Sequence, residues 1–175
     1  MQFPVSKYGF VFRMVEESDA EFILSLRTND KLAKHLSPTE GDLDGQIAWI
    51  KSYKQREARG EEYYFLFESQ TGQGLGVIRL YNFEGDSYTA GSWLTNPGAD
   101  EMTAFASDAF AMDLAFDELG FSKCLIDVRK QNVKVLRYHK RFFKQIAEDA
   151  DNIYMEMDRD GFQRKHQFLN SILQP

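Results

Sequence analysis

The run from Ser87 to Val128 constrains this chain more than any other part of it. Ser87–Leu94 reads as a strand and is stopped by Asn96-Pro97-Gly98. Thr103–Leu119 then carries Ala104, Ala106, Ala109, Ala111 and Ala115, which favour helix, while Phe105, Met112, Leu114, Phe116 and Leu119 supply its apolar faces. Gly120 stands where a helix C-cap belongs, and Lys123–Val128 reads as a second strand. Strand, helix, strand in this order implies a parallel pair joined by a right-handed crossover.

Around this unit the remaining elements follow from local signals. Phe10–Arg13 reads as a strand after Gly9, and Ser18-Asp19 as the cap of a helix carrying Phe22, Ile23 and Leu26. Thr28–Gly45 reads as a loop. A helix is expected from about Gln46 to Arg59, with Ile47, Ile50 and Tyr53 on one face and Gly60 ending it. Tyr63–Phe67 and Leu75–Tyr81 form a hairpin, and Glu84-Gly85-Asp86 turns the chain into the strand at Ser87. A helix over Val133–Phe143, a strand over Ile153–Met157 and a helix over Asp160–Leu173 complete the pattern. The expectation is one α/β (α+β) domain over residues 1–175. Its central sheet is mixed and mostly antiparallel, with one parallel βαβ unit and flanking helices.

A chain of 175 residues can bury a core without disulfides or metal, and a 14% aromatic content argues against disorder. Cys124 is the single cysteine, and His35, His139 and His166 lack metal-ligand spacing, so no metal is expected. Neither a signal-like apolar run nor a membrane-length one is present, so the expected compartment is the cytoplasm, with no membrane partner. The net charge of −6 gives no overall basic field, and no nucleic-acid partner is expected.

Charge is nonetheless uneven. Arg129, Lys130, Lys134, Arg137, Lys140, Arg141 and Lys144 are seven of the 21 basic residues, and no acid lies among them. Such a run is either an anion site or a solvated helix face. His139 lies within a stripe formed by Val135, Leu136, Phe142, Phe143 and Ile146. An inward histidine is either a general acid or base, or a hydrogen-bonded core residue. Gly72-Gln73-Gly74-Leu75-Gly76 joins two strands rather than a strand and a helix, so it reads as a hairpin turn and not a phosphate loop.

Seven segments, in order, carry a resemblance. They are Phe12–Ala20, Leu26-Arg27, Trp49-Ile50, Gly76–Tyr81, Gly91–Leu94, Ala115–Gly120 and Val128–Asn132. With this spacing the chain resembles the GNAT superfamily of N-acetyltransferases, in particular the branch of ribosomal-protein N-terminal and sugar-nucleotide N-acetyltransferases. The resemblance implies acetyl-CoA as co-substrate, lying between splayed strands Ser87–Leu94 and Lys123–Val128. Its expected contacts are Trp93, Leu94, Thr95, Met102, Thr103, Ala104, Asn132, Val135 and Tyr138. The family's glycine-rich signature falls on Asp100–Ala104, where this sequence has no glycine and two acids. Its second signature begins at Asn132 and places His139 where the family carries the tyrosine that protonates the departing thiolate. His139 is therefore the expected catalytic residue. His35, Arg79 and Tyr81, with the loop Lys31–Asp44, are the expected amine site.

The implied reaction is direct attack of an amine on the thioester. The amine belongs to a small metabolite, an amino-sugar nucleotide or a peptide N-terminus, and the protein is compatible with a homodimer. The rival reading is a catalytically degenerate CoA- or ligand-binding module. It is motivated by the missing glycines and by Thr89, which stands where some relatives carry an acid.

Overall fold

The computed structural model describes residues 2–33 and 42–173. In chain order the elements are β1 (Val5–Lys7), β2 (Phe10–Met14), α1 (Ala20–Arg27), α2 (Asp30–Ala33), α3 (Leu43–Ala58), β3 (Tyr63–Glu68), β4 (Gly74–Glu84), β5 (Ser87–Thr95), α4 (Glu101–Asp113), β6 (Lys123–Arg129), α5 (Val133–His139), β7 (Lys144–Glu148), β8 (Asn152–Met157) and α6 (Arg159–Leu173). A 3₁₀ turn at Glu17–Asp19 precedes α1, and one π-helical turn, Leu114–Glu118, extends α4. The strands form one eight-stranded sheet in the order β1-β2-β3-β4-β5-β6-β8-β7. Every pairing is antiparallel except β5 with β6. The expected mixed sheet with its single parallel βαβ unit is present.

Both faces of the sheet are covered, which explains the unbroken apolar run of β3. Tyr64 and Leu66 pack with Val15, Ile23, Ile50 and Tyr53, the cluster beneath α1 and α3. Phe65 and Phe67 point the other way, into the larger cluster with Phe110, Phe116, Met155, Phe162 and Leu169 beneath α4 and α6. The Phe12 ring stacks on Phe110 at 4.0 Å, and Phe116 stacks on Phe162 at 4.4 Å. Stripping such a buried ring to alanine costs about 3–5 kcal/mol.

Several boundaries differ from the sequence reading. β1 was not expected: three residues with one clear hydrophobe give no pattern. It forms because Tyr8 (φ 52°) and Gly9 (φ 82°) both adopt left-handed backbone, the geometry of a two-residue hairpin turn. The helix expected over Val133–Phe143 ends at His139, and the short helix α2 lies within the expected loop. Phe142 and Phe143 are buried beyond the end of α5, so the supposed single stripe is not one helix face. Ile146 is 55% exposed on β7, an edge strand whose five residues are all exposed and so show no alternation.

Candidate active site

The parallel ladder between β5 and β6 is short. Ser87 faces Lys123, Tyr88 faces Cys124, Thr89 faces Leu125, and there the pairing stops although both strands continue. A bulge on the other side of β5 contributes to the divergence. Val77 faces Leu94 but Arg79 faces Gly91, so β5 carries one extra residue, with Ser92 at φ 47°. Two glycines permit this crossing. A Cβ on Gly76 would lie 2.3 Å from the Leu94 carbonyl oxygen and 2.4 Å from the Phe67 ring. A Cβ on Gly91 would lie 2.8 Å from the Tyr81 hydroxyl.

A cavity of about 180 Å³ occupies the opening. Trp93, Asn132, Val135 and His139 all line it, so four of the expected site residues meet here. Leu94 and Thr95 continue along β5, while Met102, Thr103 and Ala104 lie in the first turn of α4, outside the cavity wall. Trp93 is anchored by its indole N–H, which donates to Ser107 Oγ at 3.0 Å. Tyr138 turns to α4, where its hydroxyl donates to Asp108 Oδ2 at 2.6 Å. His35 lies outside the described residues.

His139 closes α5 and is 6% exposed. Its ring meets Trp93, Tyr138 and Phe143 at tilted to near-perpendicular angles, with centroids 6.1, 5.1 and 5.2 Å away. Its Nδ1 is buried with no hydrogen-bond partner. That departs from a hydrogen-bonded core histidine. Burial and then the nearby Lys165 ammonium push its pKa down to about 3, against the opposing pull of Asp108. The imidazole is therefore neutral near pH 7.

Lys165 and Asp108 were not singled out from the sequence. Lys165, on α6, is 1% exposed, and its Nζ lies 2.8 Å from Asp108 Oδ1. Both residues line the cavity. One signal was available: Lys165 falls between Phe162 and Leu169 on the buried stripe of α6, at helical spacing.

On the opposite face of the sheet a second group forms. The Arg79 guanidinium lies 4.5 Å from the Tyr81 ring centre and 5.1 Å from that of Trp49. It pairs with buried Glu62, which also accepts from Arg56 Nε at 2.6 Å. Trp49 is 37% exposed. Tyr81 resists ionisation, mainly through burial and then through the charge of Asp127, a residue of the cavity wall. Arg79 and Tyr81 are thus brought together, with Gly91 between Tyr81 and the cavity.

The seven-cation run is only partly free. Arg129 meets Asp151 at 3.7 Å, Lys130 meets Glu148 at 3.5 Å, Lys134 meets Glu101 at 3.9 Å and Lys144 meets Asp158 at 3.0 Å. Arg141 lies over the Phe168 ring at 4.1 Å. At the start of α4, Asp100 caps the helix by accepting the Met102 N–H at 2.8 Å. Among the described residues no group of three or more His, Cys, Asp or Glu side chains is placed to hold a metal. No helix among them is long and apolar enough to cross a membrane.

A mixed sheet whose one parallel pair opens around a lined cavity is the arrangement the resemblance implied, and comparison identifies the family. The profile described as "Acetyltransferase (GNAT) domain" matches residues 10–142. A solved structure described as apo FdhC, a nucleotide-linked sugar GNAT, is similar at 36% identity and TM-score 0.83, covering 98% of this chain and 96% of that one. The Vibrio cholerae spermidine N-acetyltransferase bound to CoA and spermine is similar in fold, at 18% identity and TM-score 0.75, over 90% of this chain and 99% of that one. So is the Vibrio fischeri ribosomal-protein-S5-alanine acetyltransferase, at 13% identity and TM-score 0.77, over 91% and 98%. No curated protein matches in sequence. The chain belongs to the GNAT acetyltransferase family and is an N-acetyltransferase.

Proposed function

We propose that this protein transfers acetyl from acetyl-CoA to the primary amine of a nucleotide-linked amino sugar. The observation that carries the reading is the parting of β5 and β6 beyond Thr89 and Leu125, beside a cavity lined by His139. The features fit a CoA thioester in two respects. The β6-facing edge of β5 is left free for main-chain pairing with an amide-bearing arm, much as a peptide adds to a sheet. Lys134 on α5 stands beside the start of α4, 3.9 Å from Glu101, where a helix N-terminus favours phosphate, and Arg137 lies one turn further along α5. One feature opposes the fit: Asp100 already occupies the Met102 N–H.

Acetyl-CoA supplies a thioester carbonyl open to attack by an amine nitrogen. A backbone N–H near Leu94 polarises that carbonyl. Trp93, Asn132 and Val135 enclose the acyl-bearing arm, Tyr138 supports that wall from behind through its bond to Asp108, and Thr95, Met102, Thr103 and Ala104 border the phosphate end. His139 holds no charge at rest. Its neutral ring has one N–H to donate and one lone pair to accept, and negative charge forming beside it raises its affinity for a proton. We assign it both halves of the proton transfer: its lone pair takes the proton that the attacking amine nitrogen sheds, and the imidazolium so formed delivers a proton to the departing sulfur. Arg79 and Tyr81 belong to the amine site.

Charge and stacking support the acceptor class. Trp49 and Tyr81 both lie against the Arg79 guanidinium, and aromatic rings beside a cation suit a planar base and an anionic phosphate. Glu62 is already shared by Arg56 and Arg79, so no spare carboxylate in that group invites a polycation. The 36%-identical relative is described as a nucleotide-linked sugar GNAT, which supports the same class.

The test is release of free thiol from acetyl-CoA in the presence of a nucleotide-linked amino sugar, a polyamine or a short peptide. Release well above hydrolysis is expected with the first alone. Arg79→Met is expected to raise the acceptor KM by ~10-fold or more, the usual worth of a charge-assisted contact, with kcat little changed. Release with the polyamine or peptide instead would overturn the acceptor assignment. No release with any amine would favour the binding-module reading.

A further inference from the structure

The cavity floor contains a buried ion pair that the proposed chemistry does not use. Lys165 Nζ lies 2.8 Å from Asp108 Oδ1, and Asp108 Oδ2 accepts the Tyr138 hydroxyl at 2.6 Å. Lys165 is 1% exposed and Asp108 is 7% exposed. Burying such a pair is costly, and apolar replacements of similar volume are often neutral or stabilising. Packing alone therefore gives little reason for it.

Its placement supplies one. The Lys165 ammonium sits 5.2 Å from the ring centres of both Tyr138 and Phe143. Those two rings flank His139 edge-on, at 5.1 and 5.2 Å. Asp108, His139 and Lys165 share one cavity wall. We propose that Lys165 is a positioning residue of the acyl-transfer site: its ammonium, fixed by Asp108 against the rings that flank His139, adds to burial in holding His139 neutral. The inference rests on His139 being the proton-transfer group of the proposed reaction.

Burial disfavours the imidazolium most, a fixed cation near the ring disfavours it further, and Asp108, bonded to both Lys165 and Tyr138, is already engaged and offsets only part of the lysine's effect. The free ring therefore stays neutral, with Nδ1 unengaged. Negative charge appearing in the cavity then meets a preorganised cation without any rearrangement. The groups facing His139 are Lys165 from α6, Asp108 from α4 and Tyr138 from its own helix. Tyr88 of β5 and Cys124, Asp127 and Arg129 of β6 share the cavity.

The test is an NMR titration of the histidine ring signals in the full chain, with the His139 signal assigned by its loss in His139→Phe. In the unaltered protein the His139 signal is expected to stay in its neutral form down to about pH 4. Lys165→Met is expected to raise its midpoint by ~1 pH unit or more, as loss of one close charge does. Because that variant strands a buried carboxylate, Lys165→Met/Asp108→Asn is measured beside it. There a smaller upward shift is expected, since the lysine outweighs the aspartate. A midpoint unmoved in the double variant overturns the proposal. So does a His139 signal that already titrates near neutrality in the unaltered protein. Thiol release is recorded on the same samples. Normal titration behaviour with no transfer to any amine would sink the acyltransferase reading alone, whereas transfer with an unmoved midpoint would sink this one alone.

Discussion

At the scale of single residues, His139 joins the sequence reading to the chemistry. Position and apolar neighbours marked it from the sequence; what they left open was whether it is a hydrogen-bonded core residue. The unpartnered Nδ1 argues against that. His139→Phe should therefore leave Tm near or above that of the unaltered protein while transfer falls ~10²–10⁴-fold, the worth of a positioned proton donor. His139→Tyr should recover part of the rate. A large loss of Tm with normal turnover would return the residue to the core. A pH signature accompanies this. The folded state holds the ring neutral down to about pH 3, whereas an unfolded histidine takes a proton below about 6.5. Between those values the unfolded chain binds more protons, so stability drops as pH falls, by roughly 1 kcal/mol per pH unit from this residue. Denaturant unfolding at pH 7 and pH 5 should show that drop, and His139→Phe should reduce it. Lys165 and Glu62 escaped notice because their meaning lies in partners far along the chain, although Lys165 on an apolar stripe was a visible irregularity.

At the scale of elements, the β5-α4-β6 unit was legible because its signals agree: an alanine-rich helix between two apolar strands, with Gly120 at the junction. The splay was expected only from the family resemblance and not from local pattern, since it depends on a bulge and on close approaches at two glycines. Gly76→Ala tests this packing. Its new methyl would collide with the Leu94 carbonyl and the Phe67 ring. We expect a loss of ~1–3 kcal/mol in urea unfolding, as overpacking typically costs, with transfer impaired beyond what the remaining folded fraction explains. An unchanged protein would mean that β4 and β5 have more slack than this geometry allows. β7 stayed hidden because an edge strand with every residue exposed has no alternation to read. At α4, Asp100→Asn keeps an oxygen on the Met102 N–H while removing a charge from the phosphate end. CoA affinity should rise ~3- to 10-fold, the scale of one partly screened charge. Asp100→Ala also loses the cap and should cost ~1 kcal/mol of stability. Weaker CoA binding by Asp100→Asn would place the carboxylate away from the phosphates.

At the scale of the whole molecule, the charge pattern and the sheet agree on one working region. The net charge of −6 is spread over a surface whose densest cationic run lies on and around α5, beside the opening of the sheet. Four of those cations are matched by acids from other segments, leaving Arg137, Lys140 and Arg141 without an ion pair among the described residues, with Arg141 lying over the Phe168 ring. This is a modest local field suited to one phosphate-bearing co-substrate. The central claim is that the opening between β5 and β6 is the acyl-CoA site. It is tested most directly by calorimetric titration of acetyl-CoA into the unaltered protein and into Val135→Trp, which fills the cavity from its wall. Saturable binding is expected from the first and its loss in the second, with Tm of the second unchanged. No heat of binding from acetyl-CoA, CoA or a longer acyl-CoA at millimolar concentration, or equal binding by the two proteins, would contradict it.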